Sequence, residues 1–226
     1  MRFDLSTFWH ILRFGLPASI STLMYPLANL QIVPEKNSFG VDAIAGCSAA
    51  ESIHTIISAF VSGFAVATTT FMGQNIGAKN PDRVKKSFWY MLSFNLLISG
   101  SLGILFCLTG RFWLGIIVGR SATAAIEYGL IRMFHVTFFA FVSAANQTLS
   151  HALQAFGYPT FTSISNIAFT LGFRTVWMQF IYPHSPTFSN LMLCFTVSWT
   201  LNMLLYSVFF TFVYIRYTKK GICKKI

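Results

Sequence analysis

Acidic residues are scarce. The chain has 226 residues but only 6 Asp and Glu, and charged residues of both signs make up 10%. A soluble domain keeps roughly a quarter of its residues charged to stay wetted, so this shortage excludes an ordinary soluble globule. Cysteines are few and scattered: Cys47, Cys107, Cys194 and Cys223 form no C-x-x-C pair. Three of them fall in apolar runs, so free thiols are expected rather than a disulfide or a metal site. There is no G-x-S-x-G elbow, no phosphate-binding Walker loop and no clustering of metal ligands. Neither hydrolysis nor ATP-driven pumping is therefore expected of this chain, and it is expected to be no enzyme and to need no cofactor. No cleavable leader is expected from the opening residues, so the first membrane span is expected to direct insertion.

What the chain has in abundance is apolar surface. Hydrophobic residues reach 54%, with 25 Phe and 5 Trp, and the mean hydropathy is +0.61. No single core of this size could hide so many rings, so the natural solvent is lipid. A spanning helix needs about 20 mainly apolar residues. Six such runs are found, at about 14–33, 43–72, 87–108, 132–156, 160–181 and 191–214. Residues 1–13 alternate apolar and polar positions as an interfacial amphipathic segment would. Residues 14–216 then form the membrane lobe and 217–226 a basic tail. The fold class expected is an all-α membrane protein with six transmembrane helices.

The formal charge of +10 and the pI of about 9.7 could suggest nucleic acid. The 16 Lys and Arg instead sit in short gaps between apolar runs, which is the pattern of membrane topology, so no nucleic-acid partner is expected. The amino end, the gap after the second span and the tail hold 11 of them, including Lys79, Arg83, Lys85, Lys86 and Lys219. Only Lys36, Arg111, Arg120 and Arg132 fall on the other side. Both termini are therefore expected in the cytoplasm, in a multi-pass protein of the cell membrane. The cations of the 79–86 loop are expected to hold it against anionic lipid.

Gly73 to Lys86 reads GQNIGAKNPDRVKK. Gly15-Leu16-Pro17 opens the first span, and Asn37 to Gly40 reads NSFG. His151 to Pro159 reads HALQAFGYP, and Gly172-Phe173-Arg174 is followed by Trp177. Taken in chain order, the stretches resemble the carboxyl-terminal half of the multidrug and toxic compound extrusion (MATE) family. The resemblance implies one six-helix lobe of a twelve-helix transporter whose two lobes are related by a pseudo-two-fold axis along the membrane normal. It implies a cleft between lobes and efflux of amphiphilic, often cationic, solutes by antiport with Na⁺ or H⁺. The partner implied is the missing amino-terminal lobe or a second copy of the chain. The sequence also departs from the family pattern. Val33-Pro34-Glu35-Lys36 interrupts the outer end of span one, and spans one and four hold no carboxylate. A family Glu in span two is replaced by His54, with Glu51 one turn earlier.

An ionisable group inside a bilayer costs at least about 2.5–3.5 kcal/mol, so each needs a partner. Glu51 in span two and Arg174 in span five lie at matching depth, about 11–12 Å in, and are expected to pair. Glu51 and His54 share a helical face and are candidates to bind the coupling ion. A static network neutralising Glu51 is the competing role. Asn29, Asn146 and Gln147 are candidates to line a substrate cleft, with interhelical hydrogen bonding as the alternative. Asn95, Asn166 and Asn202 are expected to join helices, and His135 and His151 to be structural. Three other readings of the whole chain are a truncated or non-transporting six-helix protein, a self-pairing half-transporter, and a relative of flippases for lipid-linked sugars.

Overall fold

The computed structural model describes residues 5–223, with side chains described except at some positions between 6 and 25 and from 220 onward. Among them there is no strand. Ten α-helices follow in order: α1 Leu5–Leu30, α2 Val33–Ser38, α3 Val41–Gly77, α4 Pro81–Leu108, α5 Gly110–Val118, α6 Thr123–Arg132, α7 Ala140–Ala155, α8 Pro159–Asn166, α9 Phe173–Val176 and α10 Phe188–Cys223. Thr123–Ala155, α3, α4 and Phe188–Lys219 are each long and apolar enough to cross a membrane. The other two runs expected to span are α1 and residues 159–181. In the latter, π-helical turns at Ile167–Gly172 and Trp177–Ile181 alternate with α8 and α9. Two elements are more continuous than the sequence pattern suggests. The amphipathic lead-in from Leu5 onward belongs to the same helix as the first span, and the basic tail prolongs α10 to Cys223.

Local chemistry sets the joints. Pro34 ends the run of α1 and opens the short α2 in its first turn. Gly40 then takes a φ of 94°, a conformation open to glycine at little cost, and turns the chain into α3. Asn80 caps α4: its side chain accepts a hydrogen bond from the Arg83 N–H at 3.1 Å, with Pro81 in the first turn. Gly157, at φ 88°, and Pro159 separate α7 from α8 in the same way.

α3 is the central pillar, packed against α4, α6 and α7. Small residues let the backbones approach where lipid supplies no hydrophobic drive. A Cβ at Gly46 would collide with the Ala125 carbonyl oxygen, and one at Gly129 would meet Leu114 at 2.8 Å. A Cβ at Gly103 would meet the Thr137 carbonyl oxygen at 2.7 Å, which sets α4 equally close to the π-helical turn Met133–Thr137. Among the described residues four apolar cores result, two of them larger than the others. One of the larger two gathers Ala43, Cys47, Val136, Leu191, Phe195 and Trp199, and the other Met72, Phe88, Leu153, Tyr206 and Phe210. The two smaller ones take one face of α3 through Ala49, Ala50, Ile53, Ile57 and Val61, and leave another face, between Cys47 and Met72, for something else.

Candidate transport cavity

That stretch of α3 carries Glu51, His54, Thr55, Ser58 and Ser62, spaced three and four apart and so on one face. α7 carries Ser143, Asn146, Gln147, Ser150, His151 and Gln154 at the same period. The two polar stripes line one cavity of about 740 Å³, closed further by Asn166 and Thr170, by Ser19 and Pro26 of α1, and by Trp199 of α10. Four of the five residues singled out as binding candidates meet there: Glu51, His54, Asn146 and Gln147. The fifth, Asn29, does not line it.

Glu51 requires a correction. It forms its ion pair with Arg132, not with the expected Arg174. The reason is the contact of Gly46 with Ala125 and Gly129. It draws α6 so close to α3 that the last residue of α6 reaches the carboxylate five positions beyond Gly46. Equal depth on two helices says nothing about which faces meet. The Arg132 side chain is 5% exposed and that of Glu51 is 47%, so the guanidinium is the hidden member and the carboxylate the one facing the cavity. Arg132 also lies 3.9 Å from the Met192 sulfur and 5.6 Å from the centre of the Phe195 ring.

Arg174, fully buried, faces another way. It donates to the Asn29 side-chain oxygen at 3.0 Å and to the Ser198 hydroxyl at 3.3 Å, and lies 4.4 Å from the centre of the Phe195 ring. One ring thus serves both arginines. Asn29 is consequently a tie between α1 and the 159–181 run. Thr175 reinforces it by donating to the Gln31 side-chain oxygen at 3.2 Å.

His54 stacks on Trp199, ring centres 6.1 Å apart and planes 12° apart. Its Nδ1 and the Asn146 Oδ1 are buried with no protein partner. Gln147 reaches Ser143 at 3.5 Å. His151 shares a 2.8 Å hydrogen bond with Thr69, tying α7 to α3. The remaining amides join helices. Asn95 donates to the Val61 carbonyl at 3.3 Å and to Thr148 at 2.9 Å, and Asn202 donates to Asn166 at 2.8 Å. His135 sits between the Ile131 carbonyl and Ser189.

Sequence reasoning missed Arg132, placing it at the edge of a span as a topological cation. Its flanks, Ile131 and Met133, are the signal that was there: a lone Arg inside an apolar helix needs an acid nearby. The serine stripes were also missed, because a single Ser in an apolar run is unremarkable until two runs face each other.

The MatE family model matches residues 17–178. The probable multidrug resistance protein YoeA of Bacillus subtilis (strain 168) is 26% identical over 158 residues, which are 68% of this chain and 34% of that protein. The crystal structure of MATE in complex with MaL6 superposes with a TM-score of 0.86 at 17% identity, over 97% of this chain and 49% of that one. Inward-facing and outward-facing conformations of a multidrug resistance MATE family transporter of the MOP superfamily both give 0.79 at 16% identity. They are covered to 50% and 49% of their length. The chain thus spans about a third of its curated relative and about half of the solved chains. At these identities the structural likeness is one of fold, that of a single six-helix lobe.

Proposed function

The chain belongs to the MatE family, and we propose that it acts as one lobe of a carrier exporting amphiphilic organic solutes in exchange for Na⁺ or H⁺. The observation that carries the reading is a polar cavity in the middle of an otherwise apolar lobe, with a carboxylate in its wall. Ionisable groups facing a cavity within the membrane mark substrate and ion pathways, and transporter sites lie at this depth. Its second lobe is the missing amino-terminal half or another copy of this chain. The protein is embedded in the cell membrane, with both termini in the cytoplasm.

Alternating access suits this architecture, since inward-facing and outward-facing relatives are matched equally well by the lobe. A lobe that keeps its internal fold can rock as a body against its partner. Glu51 supplies the coupling. Its carboxylate is held by Arg132 on one side and open to the cavity on the other, so an entering Na⁺ or H⁺ competes with the guanidinium for it. His54, one turn along, sits beside that exchange.

The test is solute export from proteoliposomes holding the assembled carrier, measured against imposed pH and Na⁺ gradients. Glu51→Gln is expected to abolish the dependence on the coupling gradient. Unchanged gradient dependence in that variant would remove Glu51 from the coupling site. Absence of gradient-driven export in the native carrier would defeat the carrier reading itself.

A further inference from the structure

The chemistry of the cavity wall restricts which solute this lobe can hold, an inference that rests on the carrier reading above. Among the described residues Glu51 is the one acid in the lining, and Arg132 already pairs with it. The second buried guanidinium, Arg174, lies 4.4 Å from the centre of the Phe195 ring that Arg132 also contacts. A cationic head therefore meets a single carboxylate, already paired with Arg132 and, in the carrier reading, reserved for the coupling ion. An anionic head fares no better. Arg132 and Arg174 are 4% and 0% exposed, and neither lines the cavity.

What the wall does offer is uncharged hydrogen-bonding capacity. Asn146 and His54 are 8% and 6% exposed, and their Oδ1 and Nδ1 atoms have no protein partner. A buried polar atom left unpaired is costly, so both point to a guest that satisfies them. On α3, Ser48, Ser52 and Thr55 spend their hydroxyls on the carbonyl four residues back. Ser58 and Ser62, which line the cavity, make no such bond. Hydroxyl groups both donate and accept, and so match this mixture of amide, imidazole and serine.

We propose that the cavity binds the uncharged, polyhydroxylated head of an amphiphile, such as a glycoside, through Asn146, His54 and the free serines of α3. This departs from the cationic solute that the sequence resemblance implies. The apolar tail of such a guest lies toward the partner lobe or lipid.

Three amphiphiles with one tail and different heads make the test: octyl glucoside, octyltrimethylammonium and octyl sulfate. Each is dialysed to equilibrium, below its micellar concentration, against the full chain in nanodiscs of uncharged phospholipid, with empty discs as the blank. Saturable binding of octyl glucoside, at least about tenfold tighter than either ion, is expected. Asn146→Leu should weaken it by about tenfold. If that variant does not fold, the double variant Ser58→Ala, Ser62→Ala takes its place. Equal or tighter binding of an ion, no saturable binding of the glucoside, or full binding in the folded variants would overturn the proposal. Gradient-driven export by a carrier that prefers octyltrimethylammonium would overturn the ligand class and leave the carrier reading standing. Glucoside binding without gradient-driven export would do the reverse.

Discussion

Arg132, at the end of α6, holds the carboxylate of Glu51 across the seam where α6 meets α3. The two residues are 81 positions apart, and the guanidinium is the more deeply buried of the two. The asymmetry has an energetic consequence. Removing the carboxylate strands a buried cation, whereas removing the arginine leaves an acid that can still reach cavity water.

Glu51→Gln is accordingly expected to destabilise the protein more than Arg132→Met. Breaking a buried pair at one end costs about 3–5 kcal/mol, and the half-exposed carboxylate places Arg132→Met below that range. The double variant should recover most of the loss. Thermal unfolding in detergent checks the order, and a double variant no more stable than Glu51→Gln would show that the pair is not what satisfies Arg132.

Gly46→Ala should be among the most damaging single-methyl additions. The new Cβ meets the Ala125 carbonyl oxygen, which is backbone and cannot step aside. Gly63→Ala, with nothing within 4 Å of its Cβ, should leave stability within about 0.5 kcal/mol or raise it slightly. Folded yield and melting temperature compare the two. Similar behaviour would mean that the α3–α6 seam can open without loss.

Arg174→Lys is expected to fail as a conservative change. A guanidinium donates to Asn29 and Ser198 while its carbon lies 4.4 Å from the centre of the Phe195 ring; an ammonium, a compact point charge, cannot make all three contacts at once. Faster hydrogen exchange along the end of α1, near Asn29, is the expected signature, with Asn29→Leu producing it too. Exchange unchanged in both would mean that α1 is held by its apolar contacts alone.

Topology can be read by labelling. Lys85→Cys and Arg120→Cys, both at exposed positions, should react with a membrane-impermeant thiol reagent from opposite sides of the membrane. Cys47 and Cys194 are buried and contribute no background, while Cys107, partly exposed, and Cys223 are replaced by Ser. Labelling of Lys85→Cys from outside intact cells would invert the orientation that the cation count predicts.

Composition and periodicity alone determined that this chain lives in lipid, that it is helical, and roughly where its apolar runs lie. Those properties depend on how many apolar residues follow one another, which is a one-dimensional fact. The motifs around Gly73–Lys86 and His151–Pro159 carried the family for the same reason. Glu51, His54, Asn146 and Gln147 were legible as candidates because a polar group in an apolar run is conspicuous wherever it points. Which of them share a cavity, and which arginine answers Glu51, was decided only by the tertiary structure. Two glycines and an alanine carbonyl set the spacing of α3 and α6 to within a methyl group. From that spacing it follows that Arg132 reaches the carboxylate while Arg174 turns to Asn29. Depth along a helix can be counted from sequence; the rotation of one helix against another depends on side chains that meet only when the lobe is packed.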